Sequence, residues 1–412
     1  MPSQPVSPQP RPTVKYVLML GVMCALGAIS TDIYLPSLPE VAEDLGTTAT
    51  AAQLTMTSML IGAALGQFAI GPLSDRYGRR RPVLIGVIGH IATSLACVFA
   101  PNIGLLIAVR ALQGFCNASA GVVAMAVIRD RFTGRAASRL MSRLLLVIGV
   151  APLFAPTVGG FIAQYVTWRG VFAALVLYGA ALFAVVFFFL PETLPPARRT
   201  ANLRETWRGY AILAHDHRFL ALAVIPGLTQ AILMSYVVGS PFVFRTGFHL
   251  TAFQFSLLFD FNGAGLVIGA QVSAALVKRF TPAQLLRACV IVLAVLTGWL
   301  FTVGASGLGG LVLLIASLFA VVFFINFCPP NASALAMARH GDRAGTAAAF
   351  IGFLQAGLGG SISSGAGLLG QDAPAMSGVM FAAAILAVVC LAVGTPIFRP
   401  GGTRKLDSPG SD

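Results

Sequence analysis

Twelve apolar runs, each long enough to cross a bilayer as a helix, take up almost the whole chain. They fall at about 15–38, 50–73, 83–100, 103–126, 140–164, 168–190, 219–243, 252–277, 284–303, 307–330, 345–367 and 374–396. A helix rises 1.5 Å per residue, so about 20 apolar residues match a hydrocarbon core of about 30 Å. Water-soluble domains carry roughly 25% charged residues. This chain has 10%, with 57% hydrophobic, too little polar surface to cover twelve such runs in water. Backbone groups in lipid must be satisfied within each segment, and runs of this length do that as helices. The expected fold is an all-α membrane protein of twelve transmembrane helices.

The longest polar break, 191–218, separates six runs from six. It divides the chain into a Pro/Ser/Gln-rich tail (1–14), expected to be disordered, an N-terminal six-helix half (15–190), a central loop (191–218), a C-terminal six-helix half (219–396) and a tail (397–412). No small-residue cleavage pattern closes the first apolar run, so it reads as a span and not a signal peptide.

Alternate loops differ sharply in charge. All but three of the 27 Lys and Arg residues fall in one class of loops or in the tails. That class includes Arg76 to Arg81, Arg129 to Arg143, Arg198 to Arg218, Lys278 to Arg287, Arg339 and Arg343. Only Arg169 and Arg245 lie in the other class, and Arg110 lies inside a span. Positive charge stays on the cytoplasmic side, so both termini and the central loop are expected there. The net charge of +13 is therefore a topology signal and does not point to nucleic acid.

Soluble-enzyme chemistry is poorly represented. The six cysteines lie in apolar segments without CxxC spacing, and the five histidines are scattered, so no metal site is expected. No Walker sequence is present, so no ATP drive is visible.

An offset of 203 residues brings Gly62, Gly66, Leu73, Arg76 and Tyr77 onto Gly265, Gly269, Leu276, Arg279 and Phe280. Two pseudo-symmetric halves would then meet around a site near the midplane. The second copy lacks the acid, with Lys278 where the first has Asp75.

Two acids lie inside spans, Asp32 and Asp260, with Arg110 the lone basic residue there. Each costs about 2.5–3.5 kcal/mol at a helix centre, so such side chains face protein or water. Asp32 and Arg110 lie at matching depths and are candidate partners. Asp260 has two readings: a second titrating or cation-binding site, or a structural acid bonded to Asn262 or a neighbouring hydroxyl.

The motifs add a family. Gly71, Asp75, Arg76, Gly78, Arg79 and Arg80 spell G-x-x-x-D-R-x-G-R-R, and Arg110, Gln113 and Gly114 spell R-x-x-Q-G. "APTVGG" at 155–160, with Pro156, Gly159 and Gly160, matches the end of a G-P-x-x-G-G packing motif; Ala155 stands where glycine is usual, and Ser142 and Ala151 stand at earlier glycine positions. With these motifs the chain resembles the major facilitator superfamily and its twelve-span drug:proton antiporters. "STDIYLPSLP", "GSPFVF" and "AGTAAAFIGFLQ" resemble the bicyclomycin/chloramphenicol-resistance (Bcr/CflA-type) branch. The resemblance implies proton-coupled efflux of amphiphilic antimicrobial compounds across the inner membrane by alternating access, by a monomer with no cofactor beyond the proton gradient. It ties Asp32 and Arg110 to proton coupling. It makes Gly71, Asp75, Arg76, Gly78, Arg79, Arg80 and Asp130 a cytoplasmic latch between the halves, with both glycines allowing close backbone approach.

The cavity is expected to be mostly apolar, with Tyr34, Gln113, Asn117, Tyr236, Asn326, Asn331 and Gln355 as polar handles. That suits drug-like molecules better than sugars. Pro152/Pro156, Pro329/Pro330 and the glycine-rich run 357–367 are candidate bends. The alternatives are a proton-linked sugar or metabolite transporter of the same fold and, in another class, a membrane receptor or scaffold.

Overall fold

The computed structural model describes residues 14–132, 140, 144, 154–196, 203–340 and 344–407. The tail before residue 14 lies outside them, as do Arg135, Arg139, Ser142, Arg143, Ala151, Pro152, Arg198, Arg199 and Arg343.

Eleven helices among the described residues are long and apolar enough to span. The helix at 154–165 (α6) stands where the remaining span is expected. The first span is α1 (Val14–Asp32), a 3-10 turn (Leu35–Ser37) and α2 (Leu38–Asp44). Next come α3 (Ala49–Tyr77), α4 (Arg80–Val98), α5 (Ile103–Arg131), then α6 and α7 (Trp168–Phe189). The second half holds α9 (His217–Pro241), α10 (Ala252–Leu276) and α11 (Pro282–Ser306). Its tenth span is broken into α12 (Gly310–Ile325) and α13 (Cys328–Ala338), and α14 (Ala344–Leu369) and α15 (Ala373–Gly394) follow.

Three features depart from the sequence expectation. Part of the central loop is helical: α8 (Leu203–His215) stacks Tyr210 on Phe68 of α3 at 4.2 Å between ring centroids. The tenth span reaches Ala338, past the expected residue 330, because Pro329 and Pro330 sit in the first turn of α13, where a missing N–H costs nothing. The C-terminal tail carries a short helix, α16 (Gly402–Asp407). Large apolar side chains such as Ile85, Phe99, Leu177, Phe188 and Val312 are exposed on the outer surface of the bundle, as a lipid-facing belt requires.

Glycines set how closely the helices approach. A Cβ on Gly62 would fall 1.9 Å from the Ala111 carbonyl oxygen, and one on Gly114 1.9 Å from that of Met59. Thus α3 and α5 touch backbone to backbone. The repeat does the same in the other half: Gly265 and Gly269 of α10 lie against Phe319 and the Phe323 carbonyl of α12. Small residues drive such packing in lipid, where tails and side chains are equally apolar.

Hydrogen bonds join the halves along two seams at the end away from the arginine-rich loops, termed the outer end, and α3 and α14 stay in contact further along through Phe68 and Phe353, whose ring centroids are 5.2 Å apart. Thr50 of α3 donates to the Gly367 carbonyl at 2.6 Å. Gln53 donates to Gln371 at 3.0 Å and to the Val238 carbonyl at 3.4 Å. On the second seam, Ser256 of α10 donates to the Pro156 carbonyl of α6 at 3.0 Å, and Thr157 donates to Asp260. Arg245, after α9, donates to the Pro36 carbonyl and to Glu40, the latter at 3.2 Å. The other outer-class arginine, Arg169, pairs with Asp44.

Gly62→Ala is expected to lower stability by roughly 1–3 kcal/mol, the usual cost of overpacking, whereas Gly27→Ala, with no atom within 4 Å of the added Cβ, should be silent. Thermal unfolding of the two purified variants checks this. A Gln53→Cys/Gln371→Cys pair, joined by a short crosslinker that carries its own reducible disulfide, should hold the outer seam shut and stop transport reversibly; reduction should restore it, and undiminished transport in the crosslinked protein would show that this seam does not open.

Candidate functional site

A cavity of about 1040 Å³ lies between the halves. One end reaches Asp32, Thr31 and Tyr236; the other reaches Asp75, Arg129, Gly345 and Thr346 at the arginine-rich helix ends. The outer seams lie beyond the first end. Met59, Met125, Met234 and Phe259 give the wall its apolar character, and Gln67, Gln230 and Gln355 are polar points on it.

Local chain geometry puts Asp32 at the head of this space. Pro36 cannot donate a backbone hydrogen bond, and α1 ends at Asp32. The last-turn carbonyls of a helix lack intrahelical partners. One of them, Ser30 O, accepts from Arg110 Nη1 at 3.2 Å. Arg110 is wholly buried. It also donates to Gln113 Oε1 at 2.7 Å and to Met56 sulfur at 3.3 Å, and its guanidinium carbon lies 4.9 Å from the Tyr34 ring centroid and 5.6 Å from that of Phe172. The expected depth match therefore holds, but Asp32 and Arg110 form no ion pair. Asp32 faces the cavity, and Arg110 turns away from it into a neutral shell of a carbonyl, an amide, a thioether and two rings, where cation–π attraction supplies part of what an anion would.

The structure places three of the seven expected polar handles in the cavity wall: Asn117, Tyr236 and Gln355. The other four are used inside the helix bundle. Tyr34 lies against Thr55 and Phe172, and Gln113 donates to Ser94 at 2.7 Å. Asn326 donates to the Leu266 carbonyl at 3.1 Å, and Asn331 to that of Phe327 at 2.7 Å. The wall glutamines Gln67 and Gln230 were not singled out by sequence reasoning. Gln230 accepts from Gln355 at 3.3 Å, so α9 and α14 present one amide pair to the cavity.

His90 also went unmarked. Its ring nitrogens lie 2.7 Å from Asn117 Oδ1 and 3.2 Å from the Leu175 carbonyl oxygen. A neutral ring satisfies both contacts only with the Asn117 amide turned so that its nitrogen donates. His90 thereby fixes the orientation of one wall amide.

The charged cluster at the arginine-rich end lies within the N-terminal half. Arg79 is buried. Its Nε donates to Asp130 at 2.8 Å, and its Nη1 donates to Asp75 at 2.5 Å and to Ser74 at 2.8 Å. Burial opposes the charge on Arg79, and the bonds from Asp130 and Asp75 more than offset it, so its pKa lies above the ordinary arginine value. Glu192 accepts from the backbone N–H groups of Arg79 and Arg80 at 2.9 and 3.3 Å, closing the start of α4. Arg80 donates to the Phe187 carbonyl at 2.6 Å. Arg76 lies over the Tyr77 ring and makes no ion pair with an acid among the described residues.

The two motif glycines serve other ends than close approach. Gly78 has φ of +89°, a turn conformation that glycine adopts freely. A Cβ on Gly71 would meet nothing within 4 Å, because that residue borders the cavity. Close approach does occur in the packing motif: Gly159 faces the Ile33 carbonyl at 1.9 Å and Gly160 the Ser256 hydroxyl at 2.5 Å, both measured from a built Cβ. Among the described residues, no group of three or more His, Cys, Asp or Glu side chains could hold a metal.

Similarity to other proteins agrees with this layout. The family model for the Major Facilitator Superfamily matches residues 18–364. The chain is 34% identical over 383 residues to YdgK, an uncharacterised MFS-type transporter of Bacillus subtilis, covering 92% of this chain and 95% of that one. It is 30% identical over 360 residues to a bicyclomycin resistance protein homolog of Haemophilus influenzae, covering 86% and 89%. It is 31% identical over 280 residues to the multidrug transporter MdfA of Escherichia coli O6:H1, covering 67% and 65%. Among solved structures, the nucleoside transporter NupG superposes with a TM-score of 0.73 at 14% identity, over 93% of this chain and 100% of that one. A D-xylose–proton symporter superposes at 0.71 and 15%, over 90% and 96%. Those two likenesses concern the fold. With twelve-span hydropathy, paired glycine seams, a cavity between two related halves and a family match across most of its length, the chain belongs to the major facilitator superfamily.

Proposed function

We propose that this transporter exports amphiphilic antimicrobial compounds, chloramphenicol- or bicyclomycin-like or of broader range, across the bacterial inner membrane in exchange for protons. The observation that carries the reading is the cavity itself: an apolar wall with three methionines, a few amides, and the carboxyl of Asp32 at the end next to the closed seams, away from the mouth where Asp75 lies. Flexible thioethers and apolar surface accommodate varied drug-like shapes. A sugar demands dense hydrogen bonding around one ring, whereas most of this wall is apolar. The relatives named for bicyclomycin resistance and multidrug transport support the same class.

Asp32 is suited to carry the coupled proton. Its carboxyl borders the cavity, has no cationic partner among the described residues and lies two residues from the carbonyl that Arg110 holds. Substrate and proton then compete for one space, and each lowers the affinity for the other by the same factor. The cavity reaches the arginine-rich helix ends while the seams at the other end are shut, which fits an inward-facing state with the arginine-rich loops on the cytoplasmic side. Asp75 and the N-terminal residues of α14, Gly345 and Thr346, line that mouth together. Closure would bring the acid toward a helix N-terminus, where negative charge is favoured by about 0.3–1 kcal/mol.

Drug-susceptibility profiling of an efflux-deficient bacterium expressing the chain tests the substrate class; unaltered susceptibility to every amphiphilic antibiotic tried would remove the proposal. Asp32→Asn is expected to abolish uphill efflux driven by a pH gradient in proteoliposomes. Neutral substrates should still bind it, with affinity that no longer varies with pH; persistent uphill efflux would place the carrier elsewhere. Asp75→Asn should leave the protein inserted but slow its turnover. Spin-label distances between the cytoplasmic ends of α5 and α14 should lengthen on average, and an unchanged distribution with normal transport would reduce Asp75 to a partner for Arg79.

A further inference from the structure

Three carboxamides lie at one level of the cavity wall. Gln67 on α3, Gln230 on α9 and Gln355 on α14 all line it. Counted along their helices at 1.5 Å per residue, they lie about 15–20 Å from the arginine-rich ends. That is near the middle of a hydrocarbon core of about 30 Å. Asp32, at the far end of α1, lies about one to two turns nearer the outer seams. Gln355 Nε2 donates to Gln230 Oε1 at 3.3 Å, and neither side chain makes another hydrogen bond among the described residues. The Gln67 amide makes none among them.

Glycines place these amides. A Cβ on Gly359 would fall 2.6 Å from Gln230 Cγ, and one on Gly227 2.9 Å from the Leu354 carbonyl oxygen. Gly227 lies three residues before Gln230, and Gly359 four after Gln355, so each shares a helix face with the amide beside it. Together they let α9 and α14 close to the distance at which the two side chains bond. Gly352 lies one turn before Gln355 on α14. A Cβ there would fall 2.7 Å from Gln67 Oε1. Gln67 thus reaches from the N-terminal half into space that any larger residue at 352 would fill. The spacing Gly352, Gln355, Gly359 sets one amide of α14 between two slots, and a glutamine of another helix enters each.

Two carboxamides carry four N–H hydrogens and two oxygens. The bond from Gln355 to Gln230 engages one hydrogen and one oxygen, and it does so whichever way each amide is turned. Three N–H hydrogens and one wholly free oxygen are left for a ligand. A group that answers both kinds has an N–H and a C=O on one edge. It is also uncharged: the charged residues of the cavity wall are Asp32, toward the outer seams, and Asp75 and Arg129, at the mouth. Met59, Met234 and Phe259 offer apolar surface to the rest of such a molecule. We propose that Gln230 and Gln355, with Gln67 beside them, recognise uncharged amphiphiles that carry a lactam-type edge, cyclic dipeptides among them. This site rests on the efflux reading and narrows its substrate class. The apolar wall supplies affinity for many compounds, and the amides discriminate, because an analogue that leaves hydrogen-bonding groups of a site unpaired is rejected.

The test is isothermal titration of the purified full chain in lipid nanodiscs with three probes. Cyclo(Phe-Phe) has the lactam edge. Its N,N′-dimethyl derivative keeps the ring and both carbonyls but has no N–H. Tetraphenylphosphonium, a lipophilic cation without hydrogen-bonding groups, is the reference amphiphile. The native chain should bind cyclo(Phe-Phe) about fivefold tighter than the dimethyl compound, or more. Gln230→Leu and Gln355→Leu should each bring that ratio close to one while leaving tetraphenylphosphonium affinity unchanged, so a variant that fails to fold leaves the other to decide. Gln67→Leu should lower the ratio in part, and an unchanged ratio there removes Gln67 from the site. If tetraphenylphosphonium binds but cyclo(Phe-Phe) does not, or the native ratio is near one, or both of the first two substitutions leave it intact, the recognition site is overturned and the efflux reading survives. If none of the three probes binds, the efflux reading falls and this site with it.

Discussion

A charge inside hydrocarbon has no water to retreat to, and three side chains in that position govern the layout of this protein. Arg110 is held inside one half by a carbonyl, an amide, a thioether and two aromatic rings, with only its Nε left unpartnered. Its role is to hold α5 against the end of α1, which keeps the turn bearing Asp32 in place. Asp32 and Asp260 are satisfied only conditionally. One borders the cavity between the halves, and the other has its one closed hydrogen bond across the outer seam. Both acids thus lie on surfaces that would separate in an alternating-access cycle, while the fixed charge sits inside one half. A carboxyl on a moving surface changes its solvation with conformation, and so its proton affinity, which is the requirement for coupling.

Long-range order was legible because lipid imposes it. The length of each apolar run, the bias of Arg toward one class of loops and the six-plus-six division follow from bilayer thickness and membrane charge asymmetry. The glycine repeat was legible for a similar reason: Gly62/Gly66 and Gly265/Gly269 solve one packing problem twice. Helix facing was much less so. A helix that is apolar all round gives no periodic signal for which side looks inward. Gln113 and Asn117 sit one turn apart on α5, yet Asn117 reaches the cavity and Gln113 is spent on Arg110 and Ser94. Depth along the chain brings Asp32 and Arg110 to one level but leaves the direction of each side chain open, and Arg110 is bonded to the Ser30 carbonyl and Gln113 instead of the acid. The α8 helix escaped notice because its polar face made the whole central segment read as a loop.

The two ends of the molecule are fastened by different chemistry, and this bears on direction. At the arginine-rich end, the acids Asp75, Asp130 and Glu192 close on Arg79 and the start of α4 within one half, leaving the mouth free. The related position in the second half carries Lys278 in place of Asp75, so no matching cluster forms there. At the outer end the fastenings cross between halves. They are mostly neutral hydrogen bonds to backbone carbonyls and amides, with Arg245–Glu40 and Thr157–Asp260 as the two that involve a carboxyl group.

Magnitudes indicate that this arrangement can be switched. Hydrogen bonds between transmembrane helices average about 0.6 kcal/mol each, so the outer seams together contribute a few kcal/mol. Turning a two-state population from 1:99 to 99:1 takes about 5.5 kcal/mol. Moving one elementary charge through 100 mV supplies about 2.3 kcal/mol, and a pH difference of one unit adds about 1.4 kcal/mol per proton. A single proton therefore releases an amount comparable to the seams themselves, whereas seams built from several buried ion pairs would exceed it. If export is proton-driven as proposed, the scarcity of charge at this interface keeps the gate within reach of a single proton, and Asp260 is an acid whose hydrogen bond crosses that interface.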